Sequence, residues 1–235
     1  MPENKPANPF GEEHAARYEE RFARMAPMRD ALHFLSAVVL HDLPADARVL
    51  CVGAGTGAEL LALATRFPGW SFMAVDPSAP MLRLCRQRAE AAGLLARCEF
   101  HEGFVSSLPP GPTYHAATSL LVSQFITTTP RRVAFFQEIA SRLRPGGRLV
   151  TADLSSGGNI SDEHTRRVAV WQQMLAYCGV EAERMAQMLE AWKRDVAILP
   201  ARDIEALLRQ AGFAAPTLIS QHVLIHAWIA HRGVA

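Results

Sequence analysis

The stretch Val49-Leu50-Cys51-Val52-Gly53-Ala54-Gly55-Thr56-Gly57-Ala58-Glu59 decides the fold. Arg48–Val52 is an apolar run of strand length. Three alternating glycines follow, and Ala58–Phe67 then carries a helical pattern that Pro68-Gly69 stops. A strand feeding a helix through a glycine turn is the opening of a βαβ unit. Glycine lets the backbone take positive φ and lets a ligand approach closely. The helix start offers unpaired N–H groups and the positive end of its dipole. In parallel sheets the crevice at the strand ends is where ligands bind. Gly53-x-Gly55-x-x-Ala58 also satisfies the loose dinucleotide fingerprint, which would seat a pyrophosphate there. A purely structural turn is the plain alternative.

Working outward, the alternation continues. Ser71–Val75 reads as a second strand, Ala79–Ala92 as a helix closed by Gly93, and Arg97–His101 as a third strand. Thr113–Val122 reads as a fourth strand, Arg131–Leu143 as a helix, Pro145-Gly146-Gly147 as a turn and Arg148–Asp153 as a fifth strand. Strands separated by helices of about 10–15 residues predict a parallel sheet with helices on both faces. Residues 155–200 break the rhythm, with helices expected at Asp162–Cys178 and Glu181–Asp195. A last helix, Ala201–Ala211, precedes two apolar runs, Pro216–Gln221 and Val223–His231. These are joined too closely for a helical crossover, so they should pair antiparallel. On the N-terminal side, residues 12–42 look helical with a break near Pro27, and residues 1–11 look like a flexible tail.

The predicted fold class is therefore α/β: a doubly wound, Rossmann-like, seven-stranded mixed sheet with the last strand antiparallel. A helical insertion precedes the final helix and strand pair. Residues 12–235 make one domain: N-terminal helices over 12–44, a doubly wound core over 45–153, the insertion over 154–200, and the last helix and strand pair over 201–235. The 235 residues suit a single domain. Lys and Arg number 24 against 23 Asp and Glu, so nucleic acid is disfavoured as a partner. Cys51, Cys85, Cys98 and Cys178 show no metal-ligand or paired spacing, which suggests reduced thiols and a cytoplasmic location. No metal site and no membrane partner are expected, because no apolar run reaches a membrane span.

The second strand narrows the ligand. Phe72-Met73-Ala74-Val75-Asp76-Pro77-Ser78 puts an acid at a strand end, 23 positions after Gly53. A carboxylate there can accept hydrogen bonds from ribose hydroxyls. Alternatively Asp76 or Ser78 simply caps the next helix, though Ser78 can do so alone. Met81 lies one turn on, where its thioether could pack on an adenine face or fill core.

The segments VLCVGAGTGAEL, FMAVDPSAPML, CEFHEGFVSSLP, SLLVSQFI and LRPGGRLVTADL resemble, in order and spacing, those of class I S-adenosylmethionine-dependent methyltransferases. The resemblance spans roughly residues 15–153 and the closing 212–231. It implies S-adenosyl-L-methionine as cofactor, with Gly53, Ala54, Gly55 and Gly57 along its methionine portion. Asp76 would hold the ribose with Pro77 beside it, Gly103 and Phe104 would touch the adenine, and Leu120 and Leu121 would pass under the sulfonium. Ala16-Arg17-Tyr18-Glu19-Glu20-Arg21-Phe22 resembles a lid helix, with Tyr18 folding over the cofactor. Carboxy-S-adenosylmethionine synthases are similar in layout. However, the Asn of that group falls here on Leu120 and its carboxylate-binding Arg falls near Leu189, with Lys193 and Arg194 close.

No Asp/Asn-Pro-Pro-Tyr follows the fourth strand, which argues against methylation of base or glutamine amino groups. No Tyr-x-x-x-Lys occurs, which argues against a short-chain dehydrogenase. The implied reaction is an in-line methyl transfer to a small-molecule substrate. A carboxy-S-adenosylmethionine synthase-like or tRNA-modification-linked enzyme, or a non-catalytic S-adenosylmethionine-binding module, is the alternative. Alignment supplies most of the catalysis and a base is needed only for a protonated nucleophile. His164 is the weak candidate for that base, a solvated helix-start histidine being its plain alternative. Arg131-Arg132 and Arg166-Arg167 read as solvated helix faces, and a homodimer is left open.

Overall fold

The computed structural model describes residues 23–156 and 162–233. The expected tail, the lid segment and Tyr18 lie outside those residues. The sheet order is β3-β2-β1-β4-β5-β8-β7. Its strands are β1 (Arg48–Val52), β2 (Ser71–Asp76), β3 (Cys98–Glu102), β4 (Tyr114–Leu120), β5 (Leu143–Ser156), β7 (Phe213–His222) and β8 (Ile225–Arg232), while the two-residue β6 (Leu199–Pro200) pairs with the end of β5. β8 runs antiparallel to both β5 and β7, and the ladders joining β1 to β5 are parallel. This is the predicted seven-stranded mixed sheet.

Burial follows the period of two along a strand. Val49 and Cys51 face a cluster closed by α1 (Ala26–Leu40), α2 (Ala58–Arg66) and α3 (Ala79–Ala91). Leu50 and Val52 face the opposite cluster, closed by α4 (Thr129–Arg142) and α7 (Ala201–Gln210). Both faces are thus covered, which is why the central strands read as unbroken apolar runs.

Pro27 sits in the first turn of α1, directly after the 3-10 turn Ala23–Met25, where the N–H it lacks is one the helix start leaves unpaired anyway. Two local expectations change. The Pro145-Gly146-Gly147 turn is a bulge within β5: Tyr114 pairs with Leu143 and Ala116 with Arg148, with Gly146 at φ 71°. The insertion begins later than residue 154, since β5 runs to Ser156, and it ends in β6. Its helices are α5 (Asp162–Tyr177) and α6 (Ala182–Asp195). Trp171 and Leu175 of α5 pack with Leu32 of α1 and with Ala152, Leu154 and Ile225 of the sheet. These two are the buried residues of α5, and the insertion sits over the C-terminal ends of β4 and β5.

Candidate functional site

The site is built where β1, β2, β3 and β4 end. Gly53, Gly55 and Gly57 all take left-handed backbone, at φ 67°, 54° and 80°. Gly53 and Ala54 donate their N–H groups to Val75 O, which folds the loop across the end of β2. A Cβ on Gly53 would lie 2.4 Å from Val122 Cγ2, and one on Gly57 would lie 2.5 Å from Cys85 Sγ. At Gly55 it would meet nothing nearer than Gly53 O at 4.0 Å. Two glycines therefore admit close neighbours, and the middle one leaves an open cradle.

Asp76 lies under that cradle. Its Oδ2 accepts from Gly55 N at 2.8 Å and its Oδ1 from Ser78 N at 2.8 Å. Burial pushes its carboxyl up and these two amides pull it down. Each oxygen keeps a second lone pair, so ribose hydroxyls could still bond there. Ser78 is the N-cap of α3, accepting from Met81 N, so capping does not require Asp76. Met81 is buried beside this turn and Pro77 is exposed on it. Gly103 N donates to Asp76 O, tying the loop after β3 to the end of β2. The next residue, Phe104, is 67% exposed, an open aromatic face on the rim.

Leu120 ends β4 and is half-buried. Leu121 takes a left-handed φ of 61°, a costly conformation for a branched residue. Its N–H donates to Ala152 O at 2.7 Å, which over-determines the bend. The residues assigned to a cofactor therefore converge, Tyr18 aside.

Sequence reading missed three features. Arg88 of α3 holds Thr56 O and Oγ1 at 3.1 and 3.2 Å, fastening the crest of the glycine loop. Arg132 is 1% exposed and pairs with Asp153 at 3.1 Å, not with solvent. Ser123 Oγ accepts from Arg132 Nε at 2.8 Å and donates to Asp153. Arg132 also donates to Ala197 O, and Ala197 N to Gln124 O, so the turn after β4 is bonded to the end of the insertion. The third feature is Glu59, whose Oε1 is buried with no hydrogen-bond partner among the described residues. Burial raises its carboxyl to about 7.

The histidines also find their places. His115 accepts from Arg48 N at 3.0 Å, which explains a histidine at the start of β4. His226 is buried in β8, and burial with Arg167 nearby lowers it to about 4. His164 lines a cavity of about 640 Å³ between α5 and α6. No group of three or more His, Cys, Asp or Glu among the described residues could hold a metal.

Residues 49–147 match the methyltransferase domain family. Those residues carry a methyltransferase domain, and the comparisons support the class I, S-adenosylmethionine-dependent kind. It is 32% identical over 144 residues to a demethylmenaquinone methyltransferase of Thermus thermophilus, covering 56% of this chain and 63% of the relative. It is 24% identical to a carboxy-S-adenosyl-L-methionine synthase of Campylobacter hominis, over 87% of this chain and 86% of the relative. Its fold is shared with an O-methyltransferase family 2 protein of Planctomyces limnophilus solved with apigenin, at a TM-score of 0.63 and 17% identity, over 97% of this chain and 63% of that one. The residues of this methyltransferase domain fit S-adenosylmethionine: a cradle empty above Gly55, a buried carboxylate with free lone pairs, and an aromatic rim. No helix among the described residues is long and apolar enough to cross a membrane.

Proposed function

We propose that this chain transfers a methyl group from S-adenosylmethionine to a small-molecule acceptor. The observation that carries the reading is the cradle itself, with Gly55 opened by its left-handed backbone and bonded to Asp76. Asp76 would hold the ribose, Phe104 and Gly103 the adenine, and the Gly53–Gly57 loop the methionine end. When bound, the cofactor supplies a methyl group already activated on a sulfonium. The chain's own work is to align the acceptor and exclude water. Leu120 and Leu121 share one apolar cluster with Trp171, Met185 and Trp192, so the insertion shields the ends of the strands. The four thiols are free of each other, which suits a reducing compartment such as the cytoplasm.

Two observations bear on the alternatives. Trp171 and Trp192 contact each other at 5.9 Å, yet a cavity stays open beside them. That favours an acceptor site over a silent binding module. Lys193 borders the cavity but pairs with Glu190 at 2.5 Å, and Arg194 pairs with Asp195. Both cations are more than two-thirds exposed, whereas a cation that seats a buried carboxylate would be desolvated with it.

The test is calorimetric titration of the full chain with S-adenosylmethionine, S-adenosylhomocysteine and NADH. Micromolar binding of both adenosyl ligands, weakened at least tenfold in Asp76→Ala and absent for NADH, is expected. Tight NADH binding, or adenosyl binding indifferent to Asp76, would overturn the reading.

A further inference from the structure

The cavity between α5 and α6 has a distinctive lining. Val168, Met185, Leu189, Trp192, Val196 and Ile198 make most of its walls apolar, and Gln172 adds an amide. The one charged pair on its border, Lys193 with Glu190, cancels, so the cavity offers no net charge to a ligand. Its volume of about 640 Å³ lies within the range of small-molecule sites, about 300–1,000 Å³. His164 joins the lining one turn before Val168 on the same face of α5. Its Nδ1 is buried and has no hydrogen-bond partner among the described residues. An orphaned imidazole nitrogen in an apolar cavity costs stability unless a ligand satisfies it.

The cavity is also placed for transfer. Trp192, Val196 and Ile198 belong to the apolar cluster that includes Leu120 and Leu121 at the end of β4. Next to them, Ala197 is hydrogen-bonded to Gln124 and Arg132. One wall of the cavity is therefore anchored to the turn that follows the cofactor strand.

Resting on the methyl-transfer reading above, we infer that this cavity is the acceptor site, that it takes an uncharged, largely apolar hydroxyl compound, and that His164 accepts the hydroxyl proton. In that step the acceptor oxygen forms a bond to the methyl carbon while the carbon–sulfur bond breaks. The bonding pair of that bond goes to sulfur and removes its positive charge. The hydroxyl proton goes to the His164 ring and from there to solvent. Imidazole is the side chain most often used as a general base. An acceptor without a hydroxyl would leave His164 Nδ1 without a partner among the described residues.

The test uses calorimetry on the full chain with 2-naphthol and 2-methoxynaphthalene as probes, so no turnover is needed. Saturable binding of 2-naphthol is expected, at least fivefold tighter than its methyl ether. Ala186→Phe, which places a ring in the cavity, should weaken both probes at least tenfold. His164→Leu should abolish the preference between them, leave the affinity for S-adenosylhomocysteine unchanged and not lower the melting temperature. Absence of 2-naphthol binding, insensitivity to Ala186→Phe, or a preference that survives His164→Leu would each overturn the inference. If S-adenosylhomocysteine fails to bind while the probes behave as expected, the methyl-transfer reading falls and the cavity stands as a hydroxyl-compound site. If it binds and the probes do not, the cavity assignment alone falls.

Discussion

Replacing Arg132 by Met should unfold this protein far more readily than its surface-like sequence context suggests. The guanidinium is 1% exposed and its partner Asp153 is fully buried. Met keeps much of the side-chain volume but removes the charge. Asp153 would retain Ser123 and lose its cationic partner. The Ala197 carbonyl would lose a charge-assisted donor. Breaking a buried pair from one side costs about 3–5 kcal/mol, because it strands a charge in low dielectric. At about 2–4 °C per kcal/mol for a chain of this size, the melting temperature should fall by about 6–20 °C. The stranded carboxyl would be pushed toward its neutral form. A carboxyl whose folded value is raised stabilises the fold at low pH and loses that contribution as pH rises, so Arg132→Met should be worst above neutrality. Adding Asp153→Leu should recover much of the loss, since no unpaired charge then remains. Thermal melts of the wild type, both single variants and the double variant at several pH values supply the cycle. A melting temperature for Arg132→Met within about 2 °C of wild type would refute the argument.

Three further outcomes are expected. Gly53→Ala combines a left-handed φ with a 2.4 Å approach to Val122 Cγ2, so it should cost about 2–4 kcal/mol and weaken S-adenosylhomocysteine at least tenfold by calorimetry. Glu59 is raised by burial to about 7, so its neutral form is the one the fold prefers and its contribution is lost as pH rises through that value. Relative to Glu59→Gln, the wild type should therefore lose up to about 3 kcal/mol between pH 5 and pH 8 in urea titrations. His226 is lowered to about 4, so the unfolded chain binds the extra proton first and stability falls as pH drops from about 6.5 toward 4. His226→Gln should flatten that acid limb of the same titrations.

The glycine turn, the acid at the end of β2 and the alternation of apolar runs were legible in the sequence because each is a local consequence of backbone chemistry. Gly53, Gly55 and Gly57 take the positive φ that glycine tolerates best. Asp76 and Ser78 sit where a strand must end and a helix must be capped. Strand and helix periods are short, so one chain suffices to read the doubly wound core and the antiparallel β7–β8 pair. Partnerships across long separations were not legible. Arg132 beside Arg131 on an amphipathic helix reads as solvated; only the fold brings Asp153, 21 positions on, to its guanidinium and buries both. Leu121 carries no sequence mark of its bend, since tertiary hydrogen bonding to Ala152 imposes it. The cavity that gives His164 a role exists only because two helices pack with a gap between their apolar faces, and periodicity reports which face is apolar without reporting how far apart two such faces come to rest.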